Sequence, residues 1–230
     1  MNGPPPGQSP GWPQQPHWHT PPAWEEPPLK SRLPLLIAVA VGVLVLGGVI
    51  ALGARYLGVN ADSGEDKRSD KLPALCGNVS EATLAKARTT NPNGLASRET
   101  KLSKGTRTTC SWNQTKGVDG SGLRTTDVSV TDEGKDAESA FSRSISMHMA
   151  NLQGTPMRKP VDGLGDEAVA ILVETKSSFT EMTVLVRKGE LIVEIDHSGW
   201  DAGLLTNTRP DPAELEAAAK GVAEEMVGKL

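Results

Sequence analysis

Several short groups of residues in the sequence have side chains or a spacing that could serve catalysis or ligand binding. One of them, Asp196-His197-Ser198-Gly199, contains the residue types of a hydrolytic triad. Triad residues are brought together in space rather than along the chain, however, and no G-x-S-x-G nucleophile elbow occurs after residue 54. We therefore interpret this group as the end of a strand and predict no catalytic residue.

Two further groups suggest a ligand, but each lacks a necessary partner. Met147-His148-Met149 has the soft ligands of a copper site, yet neighbouring residues on a helix point in different directions. Gly163 and Gly165 suggest a nucleotide-binding loop, but a third glycine is missing and a strand pattern follows. The sequence thus predicts no metal and no cofactor, and it predicts a tight structural turn at Gly163, Gly165 and Asp166.

The two cysteines, Cys76 and Cys110, leave three interpretations open: half of a metal site, free thiols, or a disulfide. In an oxidising compartment the disulfide is the favoured state. The choice among these three states therefore depends on whether the cysteines lie in a reducing or an oxidising compartment.

Residues 33–54 form an uncharged run, LPLLIAVAVGVLVLGGVIALGA, that predicts a transmembrane helix. At about 1.5 Å per residue this helix is roughly 33 Å long, slightly more than the ~30 Å hydrocarbon layer. A cleaved signal peptide is the alternative, because Ala51 and Gly53 are small residues suited to a signal peptidase. The apolar run is too long for an ordinary signal, so we predict a retained anchor.

The parts of the chain on either side of this helix differ in composition. Residues 1–32 are rich in proline and predict a disordered cytoplasmic tail, with a docking peptide for a protein partner as the alternative. His17 and His19 lie in this tail without a third metal ligand. Residues 55–72 are small, polar and charged, which predicts a flexible stalk, and residues 73–230 predict the folded domain.

Charge and aromatic content exclude some classes of partner. The net charge of −4 and the pI near 5.6 argue against a nucleic-acid partner, because phosphate binding needs a basic stripe. Aromatic residues make up only 3% of the chain, which leaves few rings for stacking on bases or sugars. In the helix, Ala38 with Gly42 and Gly47 with Ala51 are small residues four apart, so a dimer through the span stays open as an alternative.

Hydrophobic periodicity predicts an α+β domain in which helices cover an antiparallel sheet as a sandwich. A loop is expected at residues 91–94, and Lys188-Gly189 is a two-residue hairpin signal. The apolar face of the second helix contains Ala137, Phe141 and Ile145. The predicted elements are a helix at 79–88, strands at 107–114 and 123–131, a helix at 135–152, strands at 167–174, 179–187 and 190–196, and a closing helix after Asp211-Pro212.

Three motifs carry a resemblance to a known family: Leu75-Cys76 near the start of the domain, Cys110-Ser111-Trp112, and the GLGDEA turn that begins at Gly163. With these motifs the domain resembles an actinobacterial family of extracytoplasmic domains of unknown function, found on lipoproteins and single-span proteins. That family is similar to the sensor domains of mycobacterial membrane kinases. The resemblance implies a PsbP-like sheet covered by helices, a disulfide between the two cysteines, and no catalytic residues.

The chain departs from the lipoprotein members of that family because no lipidation cysteine follows the apolar run. Lys30 and Arg32 before the run and Arg55 after it favour a cytoplasmic N-terminus only slightly. Together with the cysteine pair and the resemblance, they predict a single-pass protein of the cell membrane with an extracytoplasmic C-terminal domain.

The function expected from the sequence is binding of an unidentified envelope ligand or protein, in the manner of a sensor, by a domain that is not an enzyme. A structural or assembly component of the cell envelope without a small ligand is the alternative. An envelope hydrolase is the less favoured third interpretation, because His, Asp, Glu and Cys do not cluster in the sequence.

Overall fold

The computed structural model of the chain describes residues 32–151 and 153–230. Residues 1–31 of the predicted tail, with His17 and His19, lie outside these residues. So does Leu152, which the sequence places at the end of a helix. The predicted membrane helix, the predicted stalk and the rest of the folded domain are described.

The first helix, α1, covers Leu33–Val59 and has 27 residues, so it ends beyond the predicted boundary at residue 54. Pro34 lies in its first turn, where the missing N–H breaks no hydrogen bond within the helix. None of the α1 residues is buried, although nearly all of them are apolar. Within the described part of the chain, α1 is the one helix that is long and apolar enough to cross a membrane.

The segment after α1 lies along the domain rather than standing clear of it. The Glu65 backbone N–H donates to the Gln114 carbonyl at 2.9 Å, and the Arg68 N–H donates to the Asn91 side-chain oxygen at 2.8 Å. The composition of residues 55–72 predicts a flexible stalk, because small polar residues cannot build a core. Composition does not show that their backbone groups find hydrogen-bond partners on a neighbouring sheet.

The described residues contain eight antiparallel strands in a single sheet. The strands are β1 Asn91–Pro92, β2 Arg98–Leu102, β3 Gly105–Asn113, β4 Leu123–Asp132, β5 Gly154–Pro160, β6 Glu167–Thr175, β7 Thr180–Lys188 and β8 Leu191–Trp200. Their order in space is β1-β3-β4-β8-β7-β6-β5, and β2 also pairs with β3, on the side away from β4. Neighbours along the chain from β5 to β8 pair directly, whereas β4 pairs with β8 and so joins the two halves of the sheet.

After α1, the part of the chain that the structure describes has three further α-helices: α2 Glu81–Lys86, α3 Ala137–Met149 and α4 Pro212–Gly228. Short 3₁₀ turns at Ala74–Asn78 and Gly134–Asp136 precede α2 and α3. Two of these helices have an N-cap side chain. The Ser80 side chain accepts a hydrogen bond from the Thr83 N–H at 3.2 Å, and Asp211 accepts one from the Ala213 N–H at 2.9 Å.

Residues of the central strands alternate between the two faces of the sheet. On one face, Trp112, Val128 and Ile195 pack in a core with Leu215 and Met226 of α4. On the other face, α3 packs through Phe141 and Ile145 on a smaller cluster from β6, β7 and β8, formed by Val169, Ile171, Val173, Leu185 and Ile192. The layers are therefore α3, the sheet, and α2 with α4, and the predicted α+β class with an antiparallel sheet is confirmed.

Three strands, β1, β2 and β5, are not predicted from the sequence, and all of them lie at the ends of the sheet. Every residue of β2 is exposed, and β5 is mostly exposed and contains two prolines. Neither strand has the alternation of buried and exposed residues that marks a half-buried strand. The loop predicted at 91–94 begins with β1, because Asn91 and Pro92 pair with β3.

The β7–β8 turn falls at Gly189 and Glu190, one residue later than predicted.

Cys76 and Cys110 are joined in a disulfide with a Cα–Cα distance of 5.5 Å. Their exposures of 3% and 0% place the bond in the core. It connects the 3₁₀ turn before α2 to β3. Of the three interpretations that the sequence leaves open, the disulfide is the one that the structure contains.

The GLGDEA turn is held against the hairpin between β7 and β8. Gly163 and Gly165 have φ angles of +74° and +64°, where glycine is favoured. The Asp166 carboxylate accepts a hydrogen bond from the Gly189 N–H at 2.7 Å, and the Asp166 N–H donates to the Arg187 carbonyl at 2.8 Å. The three predicted turn residues thus fix the position of β6 relative to its neighbouring hairpin.

Candidate ligand cavity and ionisable cluster

The sheet face that carries α3 is apolar over β6 and β7 and polar over β3 and β4. Arg107, Thr109 and Ser111 alternate along β3 with residues of the opposite core, and each pairs with a polar residue of β4. One such row continues across the sheet, because Ser129 of β4 lies opposite both Thr109 and Glu194 of β8. The alternation therefore places hydroxyl and charged groups together beside α3.

A cavity of about 430 Å³ lies over this polar surface, between α3 and strands β2, β3, β4 and β8. One edge of α3 forms a wall of the cavity through Ala140, Ser144 and Met147. Its other lining residues are Arg98, Thr100, Leu102, Arg107, Thr109, Ser129, Thr131, Glu133, Ile192 and Glu194. The cavity exists because α3 packs on the apolar half of this face and leaves the polar half uncovered.

The lining presents charges of both signs. Arg98 on β2 and Arg107 on β3 are exposed, and Arg107 donates a hydrogen bond from Nε to Thr131 Oγ1 at 2.9 Å. Glu133 and Glu194 are half-buried and supply the negative groups. Such a surface can hydrogen-bond a hydrophilic molecule from several directions.

An ionisable cluster lies beside the cavity, where the end of α3 meets β8. His148 Nε2 lies 3.2 Å from Glu194 Oε1, and Asp196 completes a group whose ligand atoms all lie within 4.8 Å of one another. Thr183 of β7 donates to Asp196 Oδ1 at 2.6 Å. Glu194 belongs to both the cluster and the cavity lining, so the two features adjoin.

Burial and mutual charge perturb all three groups. Burial raises the pKa of Asp196 to about 7, and the negative charge of Glu194 adds to this effect. The hydrogen bond with Glu194 raises the pKa of His148. Burial also acts to raise the pKa of Glu194, but the hydrogen bond and positive charge of His148 hold that pKa below its usual value.

Asp127 of β4 lies directly opposite Asp196 in the pairing of β4 with β8. Burial raises the pKa of Asp127, against the effect of a hydrogen bond from Ser111. Like charges on directly opposite residues destabilise an antiparallel pair. The sheet thus holds two carboxyl groups side by side at a position where stability alone would favour neutral residues.

The motif Asp196-His197-Ser198 does not converge on one site, because successive residues of β8 point to opposite faces. His197 is buried on the α4 side, where its Nδ1 lies 3.0 Å from Thr126 Oγ1. Burial and the charge of Arg124 lower the pKa of His197 to about 3. Ser198 lies on the α3 side and hydrogen-bonds Thr125 at 2.9 Å.

A second charged cluster is structural. The Arg124 side chain is 1% exposed and contacts Asp201 at 2.7 Å. It also donates to the carbonyls of Leu123 and Trp200, each at 2.9 Å. Both terminal nitrogens of the guanidinium are therefore bonded within the fold.

The sequence analysis missed both the cavity and the cluster with His148. The sequence does contain one indication of the cluster. Glu194 and Asp196 are two residues apart in a predicted strand and therefore share a face. His148 also follows Phe141 and Ile145 on the predicted inner face of α3. Neither signal reveals that α3 ends above β8, which depends on how the helix packs on the sheet.

These features define a class of protein: an α+β domain with an antiparallel sheet and a polar cavity, preceded by an apolar helix long enough to span a membrane. No family model matches the chain, and no curated protein matches it. Among solved structures, the chain is similar to the crystal structure of the extracellular domain of PknH from Mycobacterium tuberculosis. The identity is 8%, the match covers 72% of this chain and 81% of that chain, and the TM-score is 0.33. A likeness this remote establishes neither a shared family nor a shared function.

Proposed function

We propose that this protein is a single-pass membrane protein whose extracytoplasmic domain binds a small hydrophilic ligand in the cavity beside α3, without catalysing its conversion. The observation that carries the proposal is the uncovered polar half of the sheet face. A fold that needed α3 only for stability would gain by covering that half with apolar residues, as it does over β6 and β7.

The chemistry of the lining indicates the class of ligand. Arg98 and Arg107 suit a carboxylate or phosphate group, since guanidinium groups bind such anions in a forked geometry. Glu133, Glu194 and the hydroxyl groups suit an ammonium or hydroxyl group on the same molecule. Because the lining residues include no aromatic ring, stacking of a base or sugar is not supported. The proposed ligand is therefore a small anionic or zwitterionic molecule such as an amino acid or a sugar phosphate.

The membrane topology is part of the proposal. The exposed apolar surface of α1 is suited to lipid, because an apolar helix surface of this extent is costly in water. The buried disulfide supports an oxidising compartment for the domain. We therefore assign the residues before α1 to the cytoplasm and the sheet domain to the outer side of the membrane.

The proposal can be tested with the full-length chain in detergent micelles, screened by thermal shift against amino acids, dicarboxylates and sugar phosphates. A ligand present at 100 times its Kd stabilises the folded state by about 2.7 kcal/mol. We expect at least one of these classes to raise the melting temperature.

A pair of matched variants on α3 tests whether the cavity is the site. Ser144→Phe places a large ring in the cavity, whereas Ser142→Phe places the same ring on the exposed side of the helix. We expect the first variant to lose the shift and the second to retain it. No shift with any class, or an equal shift in both variants, would contradict the proposal and favour a structural component of the envelope.

A further inference from the structure

We propose that His148, Glu194 and Asp196 form a binding site for one divalent transition-metal ion. The three side chains come from two elements, the last turn of α3 and one face of β8. They offer one imidazole nitrogen and two carboxylate oxygens within 4.8 Å of one another. The site adjoins the cavity but does not depend on a ligand there.

The distances are close to those of a metal site. Ligand atoms bound at about 2.0–2.2 Å to one tetrahedral ion lie roughly 3.3–3.5 Å apart. The distance from His148 Nε2 to Glu194 Oε1 is 3.2 Å, and the distances from Asp196 to these two atoms are no more than 4.8 Å. The His148 and Glu194 side chains are 17% and 28% exposed, so they are positioned by the fold yet reachable from solvent.

The surrounding charges favour a cation. Glu181 of β7 and Asp127 of β4 add negative charge from the strands on either side of β8, and Arg107 of β3 supplies the positive charge that acts on Glu194. Carboxylates held together in a partly buried site repel one another unless a proton or a cation lies between them. A metal ion bound by these side chains would relieve this repulsion.

The ligand types select the class of ion. Imidazole nitrogen suits zinc, copper, iron and nickel, whereas Mg²⁺ and Ca²⁺ prefer oxygen ligands throughout. One nitrogen with two carboxylates therefore favours Zn²⁺ and similar ions over Mg²⁺ and Ca²⁺. Three protein ligands leave at least one coordination position for water or for a group on a bound molecule.

The test uses the full-length chain in detergent, freed of metal with EDTA and titrated with ZnCl₂ against a fluorescent zinc indicator. We expect wild type to bind one equivalent of Zn²⁺ through this site. Co²⁺ in place of Zn²⁺ should give the visible absorption of an ion with a nitrogen ligand. Mg²⁺ at millimolar concentration should not compete.

Three variants identify the site. His148→Gln and Asp196→Asn should each weaken Zn²⁺ binding by about tenfold or more, while Glu138→Gln, a change on the exposed first turn of α3, should leave binding unchanged. Circular dichroism establishes that each variant is folded. If Asp196→Asn does not fold, the result for His148→Gln decides alone, since it changes a partly exposed side chain in the last turn of α3.

The histidines of the N-terminal tail provide the necessary control. The double variant His17→Gln with His19→Gln should bind Zn²⁺ as wild type does. The proposal is overturned if wild type binds no Zn²⁺, if His148→Gln binds it normally, or if the tail variant alone loses it. Because Ser144→Phe should lose the cavity ligand and keep Zn²⁺, failure of this proposal and failure of the cavity proposal are distinguishable.

Discussion

Acidification should destabilise this protein through His197, because the folded state keeps that imidazole neutral. The side chain is 1% exposed and its pKa is lowered to about 3, whereas an unfolded chain has a histidine pKa of about 6.5. Above pH 6.5 neither state binds the proton, so stability is unaffected. Below pH 6.5 the unfolded state gains a proton that the folded state excludes, and stability falls until the pH approaches 3.

The two pKa values set the size of the effect. Between pH 7.5 and pH 5, proton uptake by the unfolded state alone lowers the free energy of unfolding by about 2 kcal/mol per such histidine. His197→Asn removes the titrating group and retains an amide near the position of Nδ1, so the contact with Thr126 can persist. The variant is expected to be less stable than wild type at pH 7.5, because a smaller side chain leaves space in the core.

The informative quantity is the change of stability with pH and not the stability at one pH. Urea unfolding of the full-length chain in EDTA-containing detergent, followed by far-ultraviolet circular dichroism, gives the free energy of unfolding at each pH. Wild type should lose about 2 kcal/mol more than His197→Asn between pH 7.5 and pH 5. Parallel pH profiles for the two proteins would refute the argument, since they would show that His197 takes up no protons on unfolding.

Two further predictions concern the turn and the disulfide. Gly165→Ala should destabilise the domain by about 1–3 kcal/mol, because a Cβ there would lie 2.5 Å from the Arg187 carbonyl oxygen. Gly163→Ala, where a Cβ meets no atom within 4 Å, should cost about 1 kcal/mol; equal melting temperatures for the two variants would contradict the contact argument. Replacing both Cys76 and Cys110 by Ala opens a link between residues 34 positions apart. It should lower the free energy of unfolding by about 4 kcal/mol in the chain-entropy model, and a change below 1 kcal/mol in urea unfolding would oppose this expectation.

The elements that pack through a regular apolar pattern are the ones that the sequence predicts. Leu215, Val222 and Met226 recur at helical spacing in α4 and are all buried. Thr126, Val128 and Val130 alternate in β4 and are also buried. Burial of one face requires apolar residues at a regular spacing along the sequence. Helices and inner strands both show this spacing.

The elements at the ends of the sheet carry no such period. The β2 strand, RETKL, is held by backbone pairing with β3, and none of its residues is buried. Backbone hydrogen bonds place almost no constraint on side-chain type, so the sequence of β2 shows no strand pattern. The missed strand matters for function, because Arg98, Thr100 and Leu102 of β2 line the cavity.

The candidate metal site was harder to predict because it joins residues that are far apart in the sequence. His148 Nε2 meets Glu194 at a separation of 46 residues, through the packing of α3 on β8. Its helical position indicates only that His148 faces inward. A histidine on an inner face is usually part of the core, and the sequence does not show that the residues beneath it are carboxylates.

The two faces of β8 explain why adjacent residues of one motif have opposite properties. Burial opposes charge on both Asp196 and His197, so it raises the first pKa and lowers the second. On the α4 side, Arg124 adds positive charge within a closed core, which further opposes protonation of His197. On the α3 side, Glu194 adds negative charge next to a cavity that solvent can enter. A cation or a hydrophilic ligand in the cavity therefore lies next to Glu194, the neighbour of Asp196 on this face, whereas His197 is 1% exposed and closed off from solvent. Function on this sheet is expected on the α3 face for that reason, and the α4 face serves stability.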